Sequence, residues 1–333
     1  MGFQSNVDGD FVNYKESYDN FVFGGHVLEK GEYFWLYLNY YCCQIMSWSV
    51  FVCLLSAFEC WSVCRFVDEF AEGKYKYISA ILFFFTFNYM LIQMKAMRQG
   101  LSVELALFAF LFLQKNKTSM IDLIMAVLFS VAAYYTHHTS SIIVLLVWLG
   151  YFFNSSNYVS KVYGNSKWFP FVMASLALIL FQLKPLFINS YVFPILTIWG
   201  GTQYESYAQE LIDNSNVTTG LVVFYEVAVI FLLSWYLKFA SNKQKYITIV
   251  AIIGMFVDII CFGNASVQRL LLYFSIFNLA VYPCMISKVE RHFGKPWALA
   301  VVVLLIGYAM KTSVFWFMSG DKTMFGQYRF IFQ

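Results

Sequence analysis

Long apolar stretches recur along most of the chain, separated by short polar intervals. Ten of them approach the ~20 residues that a helix needs to cross the hydrocarbon of a bilayer. They cover roughly 46–65, 77–96, 99–114, 119–137, 139–154, 168–184, 219–238, 246–263, 270–288 and 297–316. The second abuts the third and the fourth abuts the fifth, so each pair predicts a helical hairpin with almost no loop. Two polar segments are large, 1–45 and 185–218. The pattern predicts an all-α polytopic membrane protein, a single integral membrane domain over residues 1–333. It has about ten transmembrane helices and two larger outward-facing loops.

Composition agrees. Of 333 residues, 60% are hydrophobic and 12% charged, against ~25% charged and about 45–50% apolar in soluble domains. That deficit of charge excludes soluble enzyme folds, disordered chains and coiled coils. Aromatic residues reach 21%, which suits broad belts at the two membrane interfaces. A net charge of +3 makes no case for nucleic acid. Most of the seven cysteines (Cys53, Cys60, Cys64, Cys261 and Cys284) lie in apolar runs and none forms a CxxC pair, so neither a disulfide framework nor a zinc site is indicated. Four Asn-x-Ser/Thr sequons start at Asn116, Asn154, Asn216 and Asn264. Two of them fall on the predicted cytoplasmic side, and chance explains them.

Basic residues set the orientation. Arg65, Lys74, Lys76, Lys115, Lys117, Lys161, Lys167, Lys238, Lys243, Lys245, Lys288, Arg291 and Lys295 occupy one set of loops, thirteen of the 22 Lys and Arg. An excess of this kind marks the cytoplasm. Both termini then face outward. The acidic segment 1–45 must cross the membrane, exported either by the first helix or by an earlier span in the gene product, and the second is the expectation. In the other large segment, Tyr204, Tyr207, Ala208 and Leu211 permit a short amphipathic helix on the membrane surface.

Ionisable residues in or beside spans are costly and point to function. Lys95, Arg98 and Gln99 lie at an outward hairpin turn, where Gly100 permits a tight bend; the plain alternative is a pair snorkelling to headgroups. His137 and His138 lie at another such turn. Adjacent residues diverge on a helix, so one metal is not expected to take both, and an interfacial His with a polar cap is the plainer reading. Arg269 opens the ninth span on the side where Arg is scarce; its alternative is pairing with Asp258. Asp10, Tyr14 and Glu32 belong to the acidic segment, which alone reads as a solvated face. Glu59, Glu104, Asp122, Glu226 and Asp258 are scattered over five spans, as a proton-coupled transporter would need, but no inverted repeat accompanies them. Lys95, Arg98, His137, His138 and Arg269 all fall at outward span ends, where they would form one cationic cavity suited to a membrane-bound pyrophosphate.

Four runs in order resemble a known family. Gly9–Tyr18 (GDFVNYKESY) resembles the first outer loop of EpsG-like, Wzy-type polysaccharide polymerases, usually Gly-Thr-Asp-x-x-x-Tyr. Lys95–Gly100 (KAMRQG) looks like their Ile-Arg-Gln-Gly turn, Thr136–Ser140 (THHTS) like their His-rich turn, and Gln268–Phe274 (QRLLLYF) like their late Arg-x-x-x-Tyr-Phe segment. The Arg that usually precedes the first motif is replaced here, with Gln4 near its place, and the family's usual first span is missing. The resemblance implies a membrane enzyme of O-antigen, capsule or exopolysaccharide synthesis. Such an enzyme moves a growing glycan from undecaprenyl pyrophosphate to the next lipid-linked repeat unit. It would work at the outer face of the bacterial inner membrane, without metal or cofactor, alongside a flippase and a chain-length regulator. The candidate catalytic residues are Arg98, His137, Arg269 and Asp10; Lys95, Gln99, His138, Tyr14, Glu32 and Tyr204 are candidates for binding substrate. The competing readings are a transporter or flippase of lipid-linked saccharides and a membrane acyltransferase modifying glycans.

Overall fold

The computed structural model describes residues 9–20, 31–86, 89, 96–115, 118–155, 167–188, 190, 220–261 and 269–318. Among the described residues there are thirteen α-helices, two short 3-10 turns and no strand. In chain order the first seven are α1 (Gly9–Asp19), α2 (Tyr33–Ile45), α3 (Trp48–Phe70), α4 (Lys76–Phe85), α5 (Met97–Leu113), α6 (Met120–Thr136) and α7 (Ser141–Ser155). The rest are α8 (Phe169–Phe187), α9 (Gly220–Tyr236), α10 (Asn242–Cys261), α11 (Leu272–Ser275), α12 (Asn278–Phe293) and α13 (Lys295–Met318). The 3-10 turns, His138–Ser140 and Arg269–Leu271, introduce α7 and α11.

Among the described residues, helices lie in all ten apolar segments; in the second, α4 runs to Phe85. By length and composition α3, α8 and α10 are each sufficient to cross a membrane, and α11 with α12, bent by 48°, make a fourth when taken as one span. Large aliphatic faces point outward, among them Ile121, Ile124 and Leu128 of α6, Val172, Ile179 and Leu186 of α8, and Leu299 and Val303 of α13. Apolar area on this scale is incompatible with water and is natural in lipid.

The core forms around α5, in which every residue from Leu101 to Phe110 is buried. A helix apolar on all sides belongs at the centre of its bundle. Phe70 of α3 stacks on Phe110 of α5, Phe66 lies tilted beside it, and Phe277 closes the group edge-on. The ends of α6 are set locally. Ser119 and Asp122 form a capping box, with the Asp122 amide donating to Ser119 Oγ at 3.2 Å and the Ser119 amide to Asp122 Oδ2 at 3.0 Å. The helix stops at His137, whose backbone is extended.

One part of segment 1–45 differs from the polar expectation. Residues 33–45 form a helix rich in tyrosine that packs along α6, with Tyr37, Tyr40, Tyr41 and Ile45 exposed. Tyrosine has an apolar body with one polar atom, so a polar reading of such a run is poor.

Charges gather at one end of the bundle. Lys74 Nζ lies 2.6 Å from Glu290, and that bond raises the Lys74 pKa. Lys243 reaches Glu69 at 3.2 Å and Lys76 reaches Asp68 at 3.3 Å. The Gln244 side chain accepts from Tyr236 Oη at 2.8 Å and donates to the Phe70 carbonyl at 3.4 Å, joining α9, α10 and α3. The loops between α3 and α4, between α9 and α10, and after α12 therefore meet at one end. All three belong to the set rich in Lys and Arg.

Candidate active site

At the opposite end, segments far apart in sequence converge. Gly31 adopts φ +69°, a conformation that side chains resist, and a Cβ there would lie 3.2 Å from His138 Nε2. That turn delivers Glu32, 2% exposed, to the start of α2. Arg98 stands in the first turn of α5. His137 leaves the end of α6 with φ −160° and ψ 115°, which swings its ring away from the helix axis.

Glu32 bridges the other two. Arg98 Nη1 donates to Glu32 Oε2, and His137 Nδ1 lies 2.6 Å from Glu32 Oε1. Arg98 Nε donates to Tyr14 Oη at 3.0 Å, and the guanidinium lies over the same ring, 5.2 Å from its centroid. Tyr14 is in turn held edge-on by Trp35 at 5.6 Å. An Arg, a carboxylate, an imidazole and a phenol from α1, α2, α5 and the α6 terminus thus form one contiguous polar cluster.

A second layer joins it to the bent span. Gln99 Nε2 donates to the Arg269 carbonyl at 2.5 Å, and Tyr273 Oη lies 2.6 Å from Thr139 Oγ1. Tyr273 is fully buried. Its helix, α11, sits close to α10 because residue 254 is Gly; a Cβ there would come 2.7 Å from Phe274 Cβ.

Five of the ten candidate residues are joined here through their side chains. Tyr14, Glu32, Arg98, Gln99 and His137 are in hydrogen-bonded contact with one another or with the Arg269 backbone. The Arg269 side chain is exposed. Asp258 faces Glu226 and Lys184. Asp10 lies in α1 one turn ahead of Tyr14. His138 differs from His137: it packs edge-on against Tyr134, ring centroids 4.5 Å apart, and its buried Nδ1 meets no hydrogen-bond partner among the described residues. Lys95 and Tyr204 lie outside the described residues. The pair of half-buried Thr139 with fully buried Tyr273 was not singled out, although each residue stands inside one of the four runs. The scattered carboxylates also sort themselves, Glu59 beside Glu104, Glu226 beside Asp258, and Asp122 in its cap against Lys115.

A family model described as the EpsG family matches residues 1–330. The chain belongs to the EpsG family. This is the family of EpsG-like polysaccharide polymerases, which sets the protein in membrane-bound polysaccharide synthesis, with a lipid-linked saccharide as its class of substrate. No curated protein and no solved structure matches it. In this EpsG-family chain the chemistry of the cluster is specific. With the Nδ1 proton given to Glu32, His137 presents Nε2 as a hydrogen-bond acceptor. The same carboxylate neutralises and orients Arg98, a cation suited to phosphate.

Proposed function

We propose that this protein is a polymerase with ten spans that acts at the outer face of the bacterial inner membrane. It transfers a growing saccharide from undecaprenyl pyrophosphate to a lipid-linked repeat unit, in capsule, exopolysaccharide or O-antigen synthesis. The observation that carries this reading is the Glu32-centred cluster of Arg98 and His137, at the bundle end away from the basic loops, in a chain of the EpsG family.

A hydroxyl oxygen of the acceptor sugar attacks the anomeric carbon of the donor. The bond from that carbon to the pyrophosphate oxygen breaks, and its electron pair leaves with undecaprenyl pyrophosphate. The hydroxyl proton passes to His137 Nε2, with Asp10 the alternative base on α1. Glu32 holds the imidazole and steadies the cation that forms, as the carboxylate does in a Ser-His-Asp triad. Arg98 and Arg269 face the charge that develops on the leaving pyrophosphate, where fixed cations in a partly dry site are most effective. Tyr14 positions Arg98, and Gln99, Lys95 and Tyr204 contribute to the saccharide and pyrophosphate sites, while His138 backs the site by packing on Tyr134.

The test is deletion of the gene followed by complementation. Loss of a polymerase leaves single repeat units on lipid at the outer face; loss of a flippase stops them from reaching it. Restoration of long chains by the wild-type gene and not by Arg98→Ala, at equal protein level, is the expected result. Single units retained inside the cell would overturn the reading in favour of transport.

A further inference from the structure

A groove of about 510 Å³ begins beside the polar cluster, and its lining is entirely aliphatic and aromatic. Tyr33 and Phe34 of α2 form one wall, the face of α6 from Met125 to Tyr135 forms the other, and Leu105 of the central helix forms the floor. Leu105 is 5% exposed, so the groove passes through the outer layer of helices to the innermost one. Its two ends differ. Tyr33 directly follows Glu32, and Tyr135 precedes His137 by two residues, so one end lies beside the cluster; the two rings pack on each other there, centroids 5.9 Å apart, and bound the groove on that side. The other end runs down α6 to Met125, ten residues away, or about 15 Å at the helical rise.

The geometry points to a polyprenyl phosphate as the occupant: we infer that the groove between α2 and α6 holds the isoprenoid chain of the lipid carrier and directs its phosphate to Arg98 and His137. This rests on the polymerase reading for the identity of the carrier. Three features select the ligand. A slot bounded by two helices admits one chain, whereas a bilayer phospholipid brings two. Aromatic walls at Tyr33, Phe34, Phe129 and Tyr135 offer flat faces to a methyl-branched chain. The headward end terminates at a cation and an imidazole, groups that bind phosphate, while the tailward end is apolar throughout. Most pockets for small ligands combine such an apolar lining with a few polar groups at one place.

The experiment uses the full chain in nanodiscs of dioleoylphosphatidylcholine with undecaprenyl phosphate carrying a diazirine in its chain. After illumination, mass spectrometry locates the adducts. Adducts concentrated on peptides containing 33–34 and 125–135 are expected. Excess unlabelled undecaprenyl phosphate should reduce them at least tenfold, and the same amount of dioleoylphosphatidylglycerol should leave them within twofold. Ala132→Trp, which fills the groove, should reduce labelling by a similar factor; Leu128→Trp, at a more exposed position on its rim, provides a second variant tolerant of bulk. Adducts spread over the outer faces of α8 and α13, or equal competition by phosphatidylglycerol, would overturn the inference. The outcomes also separate the two readings. If Arg98→Ala and His137→Ala abolish polymer but wild-type adducts lie elsewhere, the polymerase site stands and the groove falls. If the groove is labelled while both variants make normal polymer, the groove stands and the site falls.

Discussion

Glu32 Oε1 lies 2.6 Å from His137 Nδ1, although 105 positions separate the two residues in the chain. The same carboxylate also takes a hydrogen bond from Arg98, so one buried group determines the placement of two others. Glu32→Gln keeps the shape and removes the charge. A charged hydrogen bond contributes ~1.5–3 kcal/mol, so a step that depends on one should slow roughly 10–200-fold. Polymer yield per unit of membrane protein is the measurement. A normal yield from Glu32→Gln would remove the carboxylate from the mechanism.

The two adjacent histidines should behave differently. His137 is bonded into the cluster, and its loss removes a base that typically contributes 10²–10⁴-fold. His138 packs against Tyr134 and offers its ring as an apolar body. His137→Ala should therefore abolish long chains, and His138→Phe should leave chain length within twofold of wild type. The reverse pattern in a gel of the glycan would assign the base to His138.

Charge and shape can be separated at Arg98. Its Nη1 reaches Glu32 while its Nε reaches Tyr14, two directions that a planar guanidinium serves together and a single ammonium does not. Arg98→Lys should preserve the ion pair but lose the phenol contact, and polymer should fall about tenfold or more. A residue that merely snorkels would tolerate Lys. Near-normal polymer from both Arg98→Lys and Arg98→Ala would give the residue that plainer role.

These contrasts show where sequence reasoning stops. Runs of apolar residues are read directly as helices because a span must satisfy its backbone internally, and the helices fall where those runs lie. Glu32 and Tyr14 were legible as candidates but looked like a solvated acidic face when taken alone. Their meaning depends on the turn at Gly31 and on packing against α5 and α6, which no local pattern encodes. The same holds for Tyr273, whose burial and contact with Thr139 arise from the 48° break between α11 and α12. Among the paired histidines, only the backbone at the end of α6 decides which ring enters the cluster.

The break is itself held by a close contact. With 2.7 Å between a Cβ at 254 and Phe274 Cβ, Gly254→Ala must push α11 away from α10. Overpacking of this kind costs typically 1–3 kcal/mol, or moves the backbone instead. Thermal unfolding in detergent should show the loss. Phe274→Gly combined with Gly254→Ala, which takes away the Cβ that the new methyl meets, should recover more stability than the two single effects predict by addition, since the pair shares one space. Simple additivity would mean that the contact does not determine how α11 sits.

The direction of the whole cluster rests on which end faces out. The ion pairs of Lys74 with Glu290 and Lys243 with Glu69 occupy the end opposite the cluster. Basic residues are retained on the cytoplasmic side during insertion. Asn242→Cys, at the start of α10 beside Lys243, should then resist a membrane-impermeant maleimide in sealed cells and react after permeabilisation. Asn13→Cys, on the exposed face of α1 next to Tyr14, should react in sealed cells. The two positions must give opposite answers, because the helices between them place them at opposite ends. Strong labelling at 242 with none at 13 would turn the bundle over. Arg98, Glu32 and His137 would then face the cytoplasm, where a polymerase supplied by a flippase has no substrate.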